Sequence, residues 1–236
     1  MNIETRIPTN IGKNISDMIC LMDGRVIVVE QRGKVILLTS DGKFEKHLPI
    51  SGEAWSVSQI NPDNIAVTYA NNIKIFNMKN ETVTKVIKLN EACFGLSISN
   101  NSMAVGLSKD KIRIIYLEGN KLETIQVQSK SYLINLVYCN GRVIYSDCDD
   151  KTVYCYDESG KQIWQHKHDL SGPRGLCVDI YGNIIFIYVL KEMHYEVIVV
   201  SDLLFDYLFL CICLFQTFIF SCILFHCIDI DSVYEI

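Results

Sequence analysis

The chain has 236 residues, 49% of them hydrophobic, and carries 22 basic against 27 acidic side chains. Asp206, Asp229, Asp231 and Glu235 fall in the last 34 residues, which hold no Lys or Arg, so residues 1–202 are nearly neutral, with 23 acids against 22 bases. The length allows one large domain, and a near-neutral balance argues against a dedicated phosphate-gripping surface.

The opening segment, MNIETRIPTNIGKN, has no apolar core of the kind a secretory signal needs. A cytosolic chain is expected, with its ten cysteines reduced. Cys20, Cys93, Cys139, Cys148, Cys155 and Cys177 are scattered through strand-like stretches, where cysteine acts as a small buried hydrophobe. None of them forms a CxxC pair and no His cluster complements one, so neither a structural zinc nor any other cofactor is expected.

From there the chain repeats one pattern. The first unit reads as strands over 17–21, 25–29, 35–39 and 44–50, with Asp23-Gly24 and Asp41-Gly42 in the turns. Equivalent turn slots recur at Asn101-Ser102, Glu118-Gly119, Asn140-Gly141 and Ser159-Gly160, residues suited to the left-handed angles of tight hairpins. First strands align Met18, Val57, Leu96, Leu136 and Leu176, with steps of 39, 39, 40 and 40. Second strands align Val26, Ile65, Met103, Val143 and Ile184, and third strands Val35, Ile73, Ile112, Val153 and Val197. A fixed period of several short strands is the mark of a radial β-repeat, because one unit alone cannot bury its apolar face. The expected fold is all-β, a β-propeller over residues 1–202 with units at 15–53, 54–92, 93–131, 132–172 and an incomplete 173–202. Partial alternation in 72–76 and 111–115 predicts strands with one buried and one partly wet face.

The fifth unit opens Gly172-Pro173-Arg174-Gly175-Leu176-Cys177-Val178-Asp179-Ile180-Tyr181-Gly182-Asn183-Ile184. This run resembles the NHL repeat, with its Pro and Gly before a Leu/Ile, its Val-Asp, and its Gly-Asn opening the second strand. The layout is similar to the C-terminal NHL propeller of invertebrate tripartite-motif (TRIM) proteins. That resemblance implies a six-bladed propeller recognising a protein or an RNA, at the end of a chain whose RING finger supplies ubiquitin-ligase activity. No RING-like Cys/His ladder, B-box or heptad run occurs here, so the resemblance carries over the recognition half and no catalysis.

The repeat stops at Asp202. Residues 207–225, from Tyr207 through Leu214 to Phe225, are 19 uncharged residues, and no Gly or Pro follows Asn183. Three readings of the hydrophobic segment 203–228 and the acidic 229–236 stay open. A transmembrane helix would span a core of about 30 Å and, with every Lys and Arg before it, would leave the propeller cytosolic as a tail-anchored protein. Alternatively the segment is a transcript artefact, since its Phe, Leu, Ile, Cys and Tyr richness is what thymine-rich noncoding DNA encodes. Otherwise it is a buried segment completing the domain.

Trp55, Phe94, Ile134 and Arg174 stand where successive inner strands begin. There, loops of several blades converge on one mouth of a propeller's channel. They are the candidate partner-binding residues, Trp and Arg being favoured in hot spots, with packing between blades the alternative for the aromatics. Asp147, Asp149 and Asp150 lack the ligand ladder and glycine of a calcium loop and read as a solvated hairpin turn. His166 and His168 lack a third ligand. Lys85, Lys88, Lys109, Lys111, Arg113 and Lys121 are interleaved with acids, as on solvated faces. Among the tail cysteines only Cys227 lies near a membrane boundary suited to palmitoylation.

The sequence thus predicts a non-catalytic recognition module for a protein partner. An RNA partner is the first alternative. The second is a metal-dependent, lactonase-like propeller enzyme, for which the inner strands offer mainly Asp17 and Asn135, whereas a hard divalent ion takes about six oxygens.

Overall fold

The computed structural model describes residues 15–108, 110–167, 172–178, 184–189 and 195–200, and the regular structure among them is all β-strand. Consecutive strands pair antiparallel into five sheets. The first holds β1 (Ile15–Cys20), β2 (Val26–Glu30), β3 (Val35–Leu38) and β4 (Phe44–His47). The second holds β5 (Ala54–Asn61), β6 (Asn64–Tyr69), β7 (Asn72–Asn77) and β8 (Thr82–Lys88). The third comprises β9 (Cys93–Ser99), β10 (Ser102–Leu107), β11 (Lys111–Tyr116) and β12 (Lys121–Gln126). The fourth comprises β13 (Leu136–Cys139), β14 (Arg142–Asp147), β15 (Thr152–Asp157) and β16 (Gln162–Lys167). In the fifth, β17 (Pro173–Val178), β18 (Ile184–Val189) and β19 (Tyr195–Val200) make three strands. The inner strands β1, β5, β9, β13 and β17 adjoin in that order, the radial arrangement of a β-propeller.

The repeat columns are the core. Ile65, Met103, Val143 and Ile184 of the second strands, and Val35, Ile73, Ile112 and Val153 of the third, are at most 1% exposed. The expected partial alternation is seen in the third strands β7 and β11, where Ile73 and Ile112 are buried between less buried neighbours, whereas the second strands β6, β10 and β14 are buried at five of their six residues. A blade in the middle of the stack meets a neighbour on each face, so both faces of its second strand are dry. Wet positions move to the outer strands, where Phe44, Val83, Leu122 and Ile163 are exposed. Asn140 and Gly141 both take left-handed angles (φ 49° and 70°), closing the two-residue hairpin between β13 and β14.

Blades are joined by polar staples as well as by apolar clusters. Three residues one place before the first-strand column, Asp17, Ser56 and Gly95, lie at these joints. Asp17 Oδ2 accepts from the Ser56 hydroxyl at 2.5 Å and the Val57 amide at 2.9 Å, and Oδ1 from the Met18 amide at 2.8 Å. The Ser56 hydroxyl in turn accepts from the Leu96 amide at 3.2 Å. Behind it, the buried Thr68 hydroxyl accepts from the Ser56 amide at 3.0 Å and donates to the Phe94 carbonyl at 2.6 Å. Thr68→Val keeps the shape and removes both bonds, leaving buried backbone groups unpaired. A loss of about 2–4 kcal/mol is expected in urea unfolding.

Burial pushes the Asp17 carboxyl up to about 6, outweighing its three hydrogen bonds. The folded protein therefore holds this proton over a range in which the unfolded chain, with its value near 3.8, has released it. Stability from this group is greatest below about pH 4 and declines as pH rises towards 6, by up to about 3 kcal/mol. Asp17→Asn is expected to flatten the slope of unfolding free energy between about pH 4 and 6, read from urea midpoints.

Candidate functional site

Two of the residues that open inner strands touch across the joint between the second and third blades. Trp55 (β5) and Phe94 (β9) are 8% and 7% exposed and meet edge to face, with centroids 5.2 Å apart at 74°. Most of each ring is therefore inter-blade packing. The row extends in both directions with residues absent from the sequence prediction. Tyr132, 52% exposed, lies on Phe94 at 4.7 Å and 32°. Arg32, in the β2–β3 turn, places its guanidinium carbon 5.4 Å over the Trp55 ring, within cation–π range. Its backbone amide donates to the Ala54 carbonyl at 3.2 Å, fixing that turn against β5. Arg32, Trp55, Phe94 and Tyr132 thus form a chain of ring contacts from the first blade to the connection entering the fourth, at the end where the inner strands begin. Ile134 is half-buried in the same connection, and Arg174 belongs to β17 with its side chain outside the described residues.

The connection carrying Tyr132, residues 127–135, has no regular structure and links β12 to β13. Asp147, fully buried at the end of β14, holds it. Its Oδ2 accepts from the Lys130 amide at 2.6 Å and the Ser129 hydroxyl at 3.0 Å, and its Oδ1 from the Ser131 hydroxyl at 2.8 Å. The Asp149 and Asp150 amides complete the set on Oδ1 at 3.1 and 3.0 Å. Burial would raise this carboxyl, but the amides of Lys130 and Asp150 and the hydroxyls of Ser131 and Ser129 outweigh it and hold it below the usual range.

One turn later, Leu133 seats the connection on the third blade. Its carbonyl accepts from the Gly95 amide at 2.9 Å, and its side chain is fully buried. A Cβ on Gly95 would stand 2.2 Å from the Ile134 oxygen, and one on Gly106 2.4 Å from the Leu133 oxygen. Only glycine admits so close a backbone approach.

The acidic cluster therefore differs from the solvated hairpin expected: Asp147 is an internal anchor. Asp150 pairs with Lys130 Nζ at 2.5 Å and accepts from the Tyr154 hydroxyl at 2.5 Å, which holds its carboxyl well below the usual range. His166 packs against Phe186, centroids 5.4 Å apart, and His168 lies outside the described residues. Of the basic residues, Lys109 lies outside the described residues. Lys111 and Arg113 pair with Glu91 at 2.9 and 3.0 Å, while Lys85 donates to the Glu118 carbonyl at 2.6 Å. Among the described residues no group of three or more His, Cys, Asp or Glu is placed to hold a metal ion, and Asp17 serves as a blade staple. No helix among them is long and apolar enough to cross a membrane; Tyr207, Leu214 and Phe225 lie outside the described residues.

No family model and no curated protein matches the chain. Among solved structures, the WD40 β-propeller domain of Doa1 superposes with a TM-score of 0.61 at 16% identity, over 75% of this chain and 61% of that one. The chain thus spans less than two thirds of that structure. The likeness shows the fold, a WD40-like β-propeller.

Proposed function

We propose that the chain is a non-catalytic recognition module that binds a protein partner at the mouth lined by Arg32, Trp55, Phe94, Tyr132 and Ile134, with Arg174 at the equivalent place on the fifth blade. The aromatic row carries this reading. Interface cores are enriched in aromatic residues and Arg, and binding energy concentrates where such side chains are rigidly packed. Here two rings are locked between blades and support a third that stands half in solvent. A propeller fold alone would not assign a function, so the proposal rests on this row.

A finer reading takes the module as the substrate-recognition propeller of a TRIM-NHL-like ubiquitin ligase, supported by the run from Gly172 to Ile184. Tethering of a cytosolic propeller to a membrane draws support from the uncharged residues 207–225.

The test places a photo-crosslinking residue at position 132 of the full chain and, as a control, at Ile163 on the outer strand β16, which is 41% exposed. Polypeptide adducts are expected at 132 and not at 163, and Arg32→Ala should lower their yield about tenfold, a loss of about 1.4 kcal/mol. Equal yields at the two positions would refute the mouth as the site. Ribonuclease-sensitive adducts with steep salt dependence would favour the RNA alternative instead.

A further inference from the structure

We propose that Asp147 is the positioning residue of the mouth, clasping the connection 127–135 so that Tyr132 is presented rigidly beside Phe94. This deepens the recognition reading above and rests on it.

The geometry brackets one residue between two fixed points. On the N-terminal side, Ser129, Lys130 and Ser131 each give one donor to the same buried carboxylate. The Tyr145 hydroxyl adds a hold on the Gln128 carbonyl at 3.0 Å. On the C-terminal side, Leu133 is tied to the Gly95 amide and, through its own amide, to the Ser108 carbonyl at 3.3 Å. Tyr132 is the single residue between these holds, and its ring is the most exposed of the mouth aromatics. An irregular nine-residue connection would otherwise be free to move, and ordering it on binding would reduce affinity. Fixing it beforehand lets the exposed ring meet a partner without that cost. The carboxylate suits the task because it accepts only, and all five of its hydrogen bonds come from donors on two short segments. Three of those donors belong to the recognition connection, and two to the turn that carries Asp147 itself.

The test uses the full chain with Asp147→Asn, which keeps the volume but turns one accepting oxygen into a donor facing donors. The milder Ser131→Ala removes one donor and leaves the carboxylate in place. Trypsin nicking after Lys130, whose side chain is 66% exposed, is compared with nicking after Lys43, 80% exposed on the first blade. The expected result is nicking after Lys130 faster by about tenfold in Asp147→Asn and by a smaller factor in Ser131→Ala, with nicking after Lys43 unchanged. In the same variants the adduct yield at position 132 should fall, and Ser131→Thr, which restores a hydroxyl, should recover it. Equal acceleration at both lysines would mean general loosening and would overturn a positioning role. Selective nicking with undiminished adducts would also overturn it, because the clasp would then be irrelevant to recognition. If the wild type forms no adduct at 132, the recognition reading fails and the proposal with it, whereas unchanged nicking sinks the clasp alone.

Discussion

Asp147→Ala is expected to destabilise the protein by about 3–5 kcal/mol, the range for removing one side of a buried charged hydrogen-bond set. Alanine leaves the Lys130, Asp149 and Asp150 amides and the Ser129 and Ser131 hydroxyls without their shared acceptor. For a domain of this size each kcal/mol moves the melting temperature by about 2–4 °C, so a fall on the order of 10 °C should be seen by differential scanning calorimetry. The pH dependence gives a second reading of the same variant. Because the folded Asp147 carboxyl lies below its unfolded value of 3.8, its stabilisation is fully present above about pH 4 and is lost as pH falls through the depressed value. Wild type should therefore lose stability on acidification below about pH 4 more steeply than the alanine variant does. The slope from Asp17 has the opposite sign and lies at higher pH, so the two carboxyls can be told apart on one pH series.

Gly95→Ala is expected to cost about 2–4 kcal/mol for the addition of a single methyl group. The reason is steric: the new carbon would be 2.2 Å from the Ile134 oxygen and 2.7 Å from the Leu133 oxygen, both backbone atoms that no rotamer change can move aside. The third and fourth blades must separate locally, and Leu133 must rise from the core. Gly24→Ala is the control. Gly24 has a left-handed φ of 87° but open space around it, the nearest atom to an added Cβ being Ser40 Cβ at 3.5 Å. Its cost should be that of the backbone angle alone, about 1–2 kcal/mol. If the two variants unfold at the same urea concentration, close approach at Gly95 is not what limits the joint. Gly95→Ala should also lower the crosslinking yield at position 132, since the displaced atoms belong to the connection that carries Tyr132.

The period of the chain was legible because burial of one unit by the next forces the same apolar columns to recur. Val35, Ile73, Ile112 and Val153 are buried for that reason. Turn glycines were legible for a local reason, as at Asn140-Gly141. The joints were not legible in the same way, because chemically different residues do one job there. Asp17 and Ser56 span to the next blade through side chains, while at Gly95 the backbones themselves touch. No apolar pattern links Asp, Ser and Gly. Asp147 was hidden for a related reason: in sequence it belongs to an acidic hairpin, and its partners lie 16 to 18 residues earlier in a connection without periodicity. Trp55 and Phe94 were visible as residues opening inner strands, but Tyr132 falls in the irregular connection, outside the columns. The one trace was the lengthening of the first-strand step from 39 to 40 between Leu96 and Leu136.

Recognition is proposed to take place at the mouth, on the row ending at Tyr132. Hydrogen exchange of the full chain, alone and with the polypeptide captured at position 132, measures this most directly. Added protection is expected over residues 128–134 and at the openings of β5 and β9, with the outer strands β4, β8, β12 and β16 unchanged. Protection confined to those outer strands, with the mouth exchanging as in the free protein, would contradict it.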